Sequence, residues 1–455
     1  MDTENDKSFI NNQRTSESGS HSISMDEGLS NDDIDIHDLE KTSCLRRYFG
    51  PVGSGSLRGS IFAMASITFG AGCLAFPYAV SKCGPIISLL IFVVCAATSY
   101  YTLYLLLECG SKAKIMDYNL LLEKAAGKKM VFFSDLNNIF LCIGVIMSYQ
   151  FTVYNFALQL GGKYAGIDPD NEWNKIILII ICFLVIQLPL SLLKNISTLQ
   201  YASIIGTIAL VYSIIVIAVE MPFYVKNNIN NNVPFPLFKP LDWSYLDTFA
   251  TFMFGFSSHN GIFQVFTELK RPSIVRYYKV LERSFIIELV LYITVSFSGY
   301  FSTLDSTKDI FLKRDDLPGF NDIFIQIAKL TLFVCLHCSM AINYNIMRMS
   351  LKTMFFGGKD IPAIKDFLIT VVTYILTNIA VFFISDVTQI LGIIGGLCTI
   401  VICFVNPITI KLKLSDQPLT SRSNLIALII GIVVTLSGTA ATINSLIFTI
   451  FKNVN

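Results

Sequence analysis

Charge is scarce in this sequence. Of its 455 residues only 15% are Asp, Glu, Lys or Arg, while 53% are hydrophobic. Soluble domains carry roughly 25% charged residues, so a chain this poor in charge does not read as two or three soluble domains. A net charge of +1 leaves no basic surface for nucleic acid. The 11 cysteines lie almost entirely inside apolar stretches and lack metal-ligand spacing. Cys335 and Cys338 form a CxxC with no second pair, and packing is the expected role. No nucleophile–base pair, paired carboxylates or metal cluster stands out, so neither an enzyme nor a cofactor or metal site is expected. A cleavable signal peptide is also missing. Residues 1–57 are instead rich in Ser, Asp, Glu and Asn, and too little apolar surface is available there to fold. They are expected to form a disordered cytoplasmic tail.

What the chain has in abundance is long apolar runs, such as Ile86 to Leu107, Ile176 to Leu193, Ile204 to Val219 and Leu425 to Ile450. Each matches the roughly 20 helical residues that cross a hydrocarbon core. The pattern predicts an all-α polytopic membrane protein of eleven spans, near 58–80, 85–108, 131–160, 174–193, 199–221, 245–268, 281–301, 322–347, 366–384, 387–410 and 424–450. Lys and Arg crowd into alternate connections (Arg46, Arg47 and Arg58; 112–129; 270–283; 348–365; 411–422), which places the N-terminus in the cytoplasm. The sequon Asn195-Ile196-Ser197 then lies on the inner side and is expected to carry no glycan. Segment 110–129 reads as an amphipathic helix on the inner face, and 222–243, with its asparagines and four prolines, as irregular coil.

Two spans are interrupted at mid-membrane. The first reads Ser66-Ile67-Thr68-Phe69-Gly70-Ala71-Gly72-Cys73-Leu74-Ala75-Phe76-Pro77-Tyr78; the sixth reads Phe254-Gly255-Phe256-Ser257-Ser258-His259-Asn260-Gly261. They head two successive groups of five spans, 58–221 and 245–410, which an odd number of crossings makes antiparallel. Interrupted helices at matching positions of inverted halves point to a transporter's binding site. Unwound backbone at that depth survives only against protein or a wet cavity, and it exposes donors and acceptors together. A zwitterion suits such a place. Its carboxylate would take amides around Gly70, Ala71 and Gly72, its ammonium would meet carbonyls near Thr68 or Phe256, and Ser257 and His259 would border it. A pair of packing glycines in two close helices is the bland alternative.

At these residues the sequence resembles the amino acid/auxin permease family, within the larger amino acid–polyamine–organocation group. Gly70-Ala71-Gly72-Cys73-Leu74-Ala75-Phe76-Pro77-Tyr78-Ala79 followed by Gly84 is similar to its GxGxLxxPyA…G opening. Phe256 and His259 followed by Thr267-Glu268-Leu269 resemble its FxxHxxxxxxxTEL signature, and Gly392, Gly395 and Pro407 match more weakly. The similarity runs over 55–450. It implies a five-plus-five inverted repeat with broken helices 1 and 6, an added eleventh helix at 424–450, and secondary transport of amino acids by alternating access. The sequence departs from sodium-coupled members at Ser66, where they carry a carboxamide four positions before the first glycine of the motif. A hydroxyl is the poorer sodium ligand, so proton coupling or facilitated transport is expected, with the proton as the expected coupling ion and sodium the alternative.

Charges inside spans are functional candidates by default. His259 sits within the sixth-span interruption, and an imidazole titrates near neutrality; a structural histidine is the competing role. Glu288 in the seventh span reads as a buried carboxylate or a cavity-lining one. Ser66, His259, Ser339 and Glu288 are the coupling-ion candidates. Lys329 is expected to snorkel outward, and Glu220 and Glu268 to sit solvated at helix ends. No aspartate or glutamate lies among the interrupted residues, which favours neutral substrates. A membrane sensor that binds an amino acid and signals through its tail is the alternative from another class. Plasma membrane and vacuolar or lysosomal-type membranes both fit.

Overall fold

Where lipid replaces water, every backbone N–H and C=O must find its partner inside the protein, and apolar runs of this length fold as helices. The computed structural model describes residues 55–452, apart from 170, 194, 195, 271, 320 and 385, and no strand occurs among the described residues. The tail up to residue 54 and Asn195 of the sequon lie outside the described residues.

The first span is split. Helix α1 (Leu57–Thr68) ends, Gly70 runs extended, and a 3-10 turn (Ala71–Ala75) leads into α2 (Phe76–Cys83). The two halves are bent by 55°. Next come α3 (Pro85–Ala113), the short α4 (Tyr118–Ala126) and α5 (Lys128–Ala165). A π-helical turn (Cys182–Gln187) interrupts the fourth span between α6 (Glu172–Ile181) and α7 (Leu188–Leu192), and α8 (Ile196–Asn230) follows. The second split span consists of α9 (Ser244–Gly255) and α10 (Ile262–Thr267). Then α11 (Ile274–Thr303), α12 (Ile323–Phe356) and α13 (Ala363–Phe383) cross in turn. The tenth span runs from α14 (Val387–Ile393) through π-helical turns to α15 (Asn406–Leu414), and α16 (Arg422–Lys452) closes the chain.

Nine of the described helices are long and apolar enough to cross a membrane, and the bent first pair makes a tenth. The expected sixth span falls on α9 and α10, each too short to reach across singly, and is not among these ten. The outside of the bundle is apolar: Leu90, Val94, Val219 and Leu436 are all more than half exposed. Polar groups such as Thr102, Ser148, Gln150, Ser213 and Asn406 are fully buried. That inversion of the soluble pattern is what a lipid environment selects.

Four local expectations are corrected. Segment 222–230 is helical rather than coil, because α8 continues through Pro222 to Asn230. Its last turns are held from outside themselves, by Asn228 Nδ2 donating to Ser302 O (3.0 Å) and by Tyr224 under the Arg314 guanidinium (3.9 Å). In the inner segment, α4 turns Leu121 and Leu122 into the protein, and Tyr118 Oη donates to Ile402 O (2.6 Å), so its apolar face is spent on protein contact. Glu220 is buried, not solvated: it pairs with Arg314, which also bonds Asp322 (3.1 Å). Lys329 does not snorkel. It is 5% exposed, with Asp316 and Asp322 as the opposite charges acting on it.

The Glu220–Arg314–Asp322 cluster ties the end of α8, the connection after α11 and the start of α12 together. Asp322 doubles as the α12 cap, accepting from Ile325 N at 3.0 Å. Burial pushes the Arg314 guanidinium down to about 10, which leaves it charged at neutral pH. Removing one partner of a buried pair strands the other charge, at about 3–5 kcal/mol. Arg314→Met, which strands two carboxylates, should therefore lower the thermal unfolding midpoint of the purified protein well beyond Glu220→Gln, which leaves Arg314 paired with Asp322. Equal midpoints for the two variants would contradict this account.

Candidate functional site

The two interruptions come together at one place, and Tyr292 of α11 joins them. Its hydroxyl lies 2.9 Å from Thr68 O, at the end of α1, and 3.0 Å from Gly255 O, at the end of α9. One phenolic hydrogen thus serves two carbonyls that helix termination leaves without an amide partner. The ring is fixed by Phe76 (4.9 Å between centroids), Phe256 (5.4 Å) and Phe69 (5.6 Å), all edge-on. Sequence reasoning missed Tyr292, since a tyrosine inside an apolar span carries no local signal of what its hydroxyl meets.

Glycines let the interruptions meet face to face. A Cβ on Gly255 would stand 2.1 Å from the Phe76 ring, and one on Gly72 would stand 2.7 Å from the Phe254 ring. Each interruption therefore receives an aromatic side chain of the other, which is why both positions lack a side chain. At Gly70 the nearest atom to an added Cβ is Tyr149 Oη at 3.0 Å. Cys73 Sγ folds back on Gly70 O (3.2 Å).

The remaining expected residues divide. Thr68 is a hub: its carbonyl takes Tyr292, and its Oγ1 lies 2.7 Å from Glu288 Oε1 and 3.3 Å from Met64 O. Glu288 is fully buried, and its Oε2 has no hydrogen-bond partner. Phe256 sends its ring into the cluster with Phe92 (5.2 Å) and Phe285 (5.7 Å), while its carbonyl accepts from Ser99 Oγ of α3 (2.9 Å). Ser257 Oγ donates to Phe254 O (2.6 Å). His259 is buried on the α3 side, with Nε2 2.9 Å from Thr102 Oγ1 and Nδ1 without a partner, against Phe404. Ser66 Oγ is likewise buried without a partner, whereas Ser339 Oγ bonds Cys335 O of its own helix (3.1 Å). Asn260 Nδ2 reaches Asn138 of α5 (3.0 Å), which in turn donates to Ser350 of α12 (3.0 Å).

Thr68, Gly70, Gly72, Phe256, Glu288 and Tyr292 thus belong to one neighbourhood, and His259 pins the second interruption to α3 beside it. Chemically the place offers backbone amides at the start of the 3-10 turn, backbone carbonyls with a lone pair to spare, and a carboxyl group one hydroxyl away. Tyr292→Phe keeps the ring and removes the shared donor. It should lower unfolding stability by about 1–3 kcal/mol, read as a lower denaturation midpoint of the purified protein. A variant with the wild-type midpoint would show that the bridge has no energetic role.

The family model described as transmembrane amino acid transporter protein matches residues 53–450. A candidate amino acid transporter, AAT1, of Toxoplasma gondii is 27% identical over 266 residues, 58% of this chain and 36% of that protein. Sodium-coupled neutral amino acid transporter 7 of Danio rerio is 26% identical over 392 residues, 82% of each chain. The chain thus spans little more than a third of the first relative's length. Among solved structures, a Na+-coupled sialic acid symporter in a substrate-bound outward-open state aligns over 86% of this chain and 96% of that one, with a TM-score of 0.45 at 13% identity. A manganese transporter of Eremococcus coleocola aligns over 88% and 97%, with a TM-score of 0.42 at 10% identity. Two interrupted helices meeting at one site, and a family match from residue 53 to 450, lead to one conclusion: the chain belongs to the family of transmembrane amino acid transporter proteins.

Proposed function

We propose that this protein is a secondary active transporter that moves neutral amino acids across a membrane by alternating access, with a proton as the coupled ion. The observation that carries the reading is the bridged pair of helix interruptions, Thr68–Gly72 and Gly255–Gly261, at the centre of an otherwise lipid-compatible bundle. The first amides of the 3-10 turn, at Ala71 and Gly72, have no intrahelical partner and suit a substrate carboxylate. The carbonyls of Thr68 and Phe256 each accept one side-chain hydroxyl and keep a second lone pair for an ammonium. The interruptions themselves hold no acidic residue to attract a cationic side chain, which favours neutral substrates.

Alternating access follows from two inverted halves, 58–221 and 245–410, with the N-terminus cytoplasmic and the membrane either plasma or vacuolar/lysosomal in type. The split helices rock against the continuous ones. The Tyr292 hydroxyl, shared by two carbonyls, favours one or the other as the halves part. The hydroxyl at Ser66, where a carboxamide would better ligate sodium, argues for the proton. The Danio rerio relative is named sodium-coupled, and sodium is therefore the ion to test against it.

The test is uptake of a labelled neutral amino-acid mixture into liposomes holding the purified protein, with an imposed pH gradient and no sodium. Accumulation that collapses with a protonophore is the expected result. Accumulation that needs a sodium gradient would replace the proton by sodium. Ligand-induced thermal stabilisation without flux under either gradient would identify a sensor instead. Gly70→Val, whose added bulk meets Tyr149 Oη at 3.0 Å and crowds the carboxylate's approach, should abolish uptake at normal expression. Unchanged uptake would move the site elsewhere.

A further inference from the structure

The geometry points to Glu288 as the carrier of the coupled proton, with the Thr68 hydroxyl passing its protonation state to the hinge of α1. This inference rests on the proton-coupled reading above and names the group that performs it.

Thr68 Oγ1 has two oxygen neighbours, Glu288 Oε1 at 2.7 Å and Met64 O at 3.3 Å, but a threonine hydroxyl has one hydrogen to give. With a protonated carboxyl, both contacts are hydrogen bonds: Glu288 donates to Oγ1, and Oγ1 donates to Met64 O. With an ionised carboxylate, the hydroxyl hydrogen must turn to Glu288, and Met64 O loses its side-chain donor. The charge on Glu288 thus decides whether the last turn of α1 keeps that extra bond. The same residue's carbonyl is the one that Tyr292 shares with Gly255, so the toggle acts on the hinge where the two interruptions meet.

The surroundings suit a carboxyl that changes its proton rather than one held permanently ionised. Oε2 is buried without a partner, and Glu288 forms no ion pair among the described residues. An unpaired carboxylate at that depth is expensive. The titratable groups close by are Tyr292 on the same helix, Cys73 and Tyr149 bordering Tyr292 from the first interruption and α5, and Tyr100 of α3 against Phe285. None is a cation. Two converging oxygens, Glu288 Oε1 and Thr68 Oγ1, are also far fewer than a bare sodium ion needs. In the cycle a proton from the loading side bonds the carboxylate when substrate enters, and that O–H bond breaks toward the other side after substrate leaves. Charge and atoms balance with one proton moved per substrate.

Glu288→Gln fixes the group in a form that resembles the protonated acid. In proteoliposomes with a gradient of one pH unit, a one-to-one symporter can reach about tenfold accumulation. Wild type should approach that value, and Glu288→Gln should fall to simple equilibration. Exchange of labelled for unlabelled substrate, which needs no proton cycle, should fall far less. Glu288→Asp should retain gradient-driven accumulation with a displaced pH midpoint, and Thr68→Val should displace the midpoint as well. A Glu288→Gln protein that still accumulates substrate with the wild-type pH profile overturns the assignment. So does one that loses exchange and accumulation together while Glu288→Asp matches wild type in pH midpoint, because the carboxylate would then be holding the substrate's ammonium. Wild type that accumulates only with sodium, independently of pH, overturns it too. Failure of wild type to move substrate under any gradient would instead remove the transport reading on which it stands.

Discussion

One hydroxyl group organises the centre of this molecule. Tyr292 places a single donor between the carbonyls of Thr68 and Gly255, the points where the first and sixth spans stop being helical. Without it, two buried acceptors would lie against hydrocarbon-rich packing, where an unmade hydrogen bond costs more than a made one gains. The interlocking of Phe76 over Gly255 and Phe254 over Gly72 brings the interruptions close enough for one side chain to span both. A three-centre hydrogen bond is weaker per acceptor than two separate ones.

Around this centre, fixed polar links hold the continuous helices. Arg348 bonds Asp366 (2.8 Å) and Ser191 O (2.8 Å), joining α12, α13 and α7. Gln150 reaches Gln187 (3.3 Å), which reaches Tyr154 (2.8 Å) and through it Asn378, so α5, the fourth span and α13 are strung together. Such buried networks specify one arrangement of helices because each member is costly to strand. The split helices are tied in as well, by Ser99 on Phe256 O, Thr102 on His259, Asn260 on Asn138, Asn444 and Ser445 on Asp247, and Tyr292 on both ends.

Much of this could be read from the chain before any coordinates. The two interruptions announced themselves because glycine, proline and serine in an apolar run have no helical or lipid-facing rationale, and Glu288 did so because a carboxylate inside a span is expensive. Tyr292 could not be read: its identity is ordinary, and its importance lies in two carbonyls more than thirty positions away on other helices. Glu220 and Lys329 were misjudged for a related reason. Each sits near a span end, where solvent is the sensible expectation, and only the fold brings Arg314 against Glu220 and buries Lys329 near Asp316 and Asp322. The role of Phe256 was half legible, since its backbone belongs to the interruption while its ring belongs to the core.

The central claim is that substrate is held by the backbone of the two interruptions. Amide hydrogen exchange of the purified protein, followed by mass spectrometry with and without a saturating neutral amino acid, tests it most directly. The account predicts slowed exchange confined to segments 68–76 and 254–262, with the frame helices α5 and α12 little changed. Protection concentrated elsewhere, with these two segments exchanging as fast in the presence of substrate as in its absence, would contradict it.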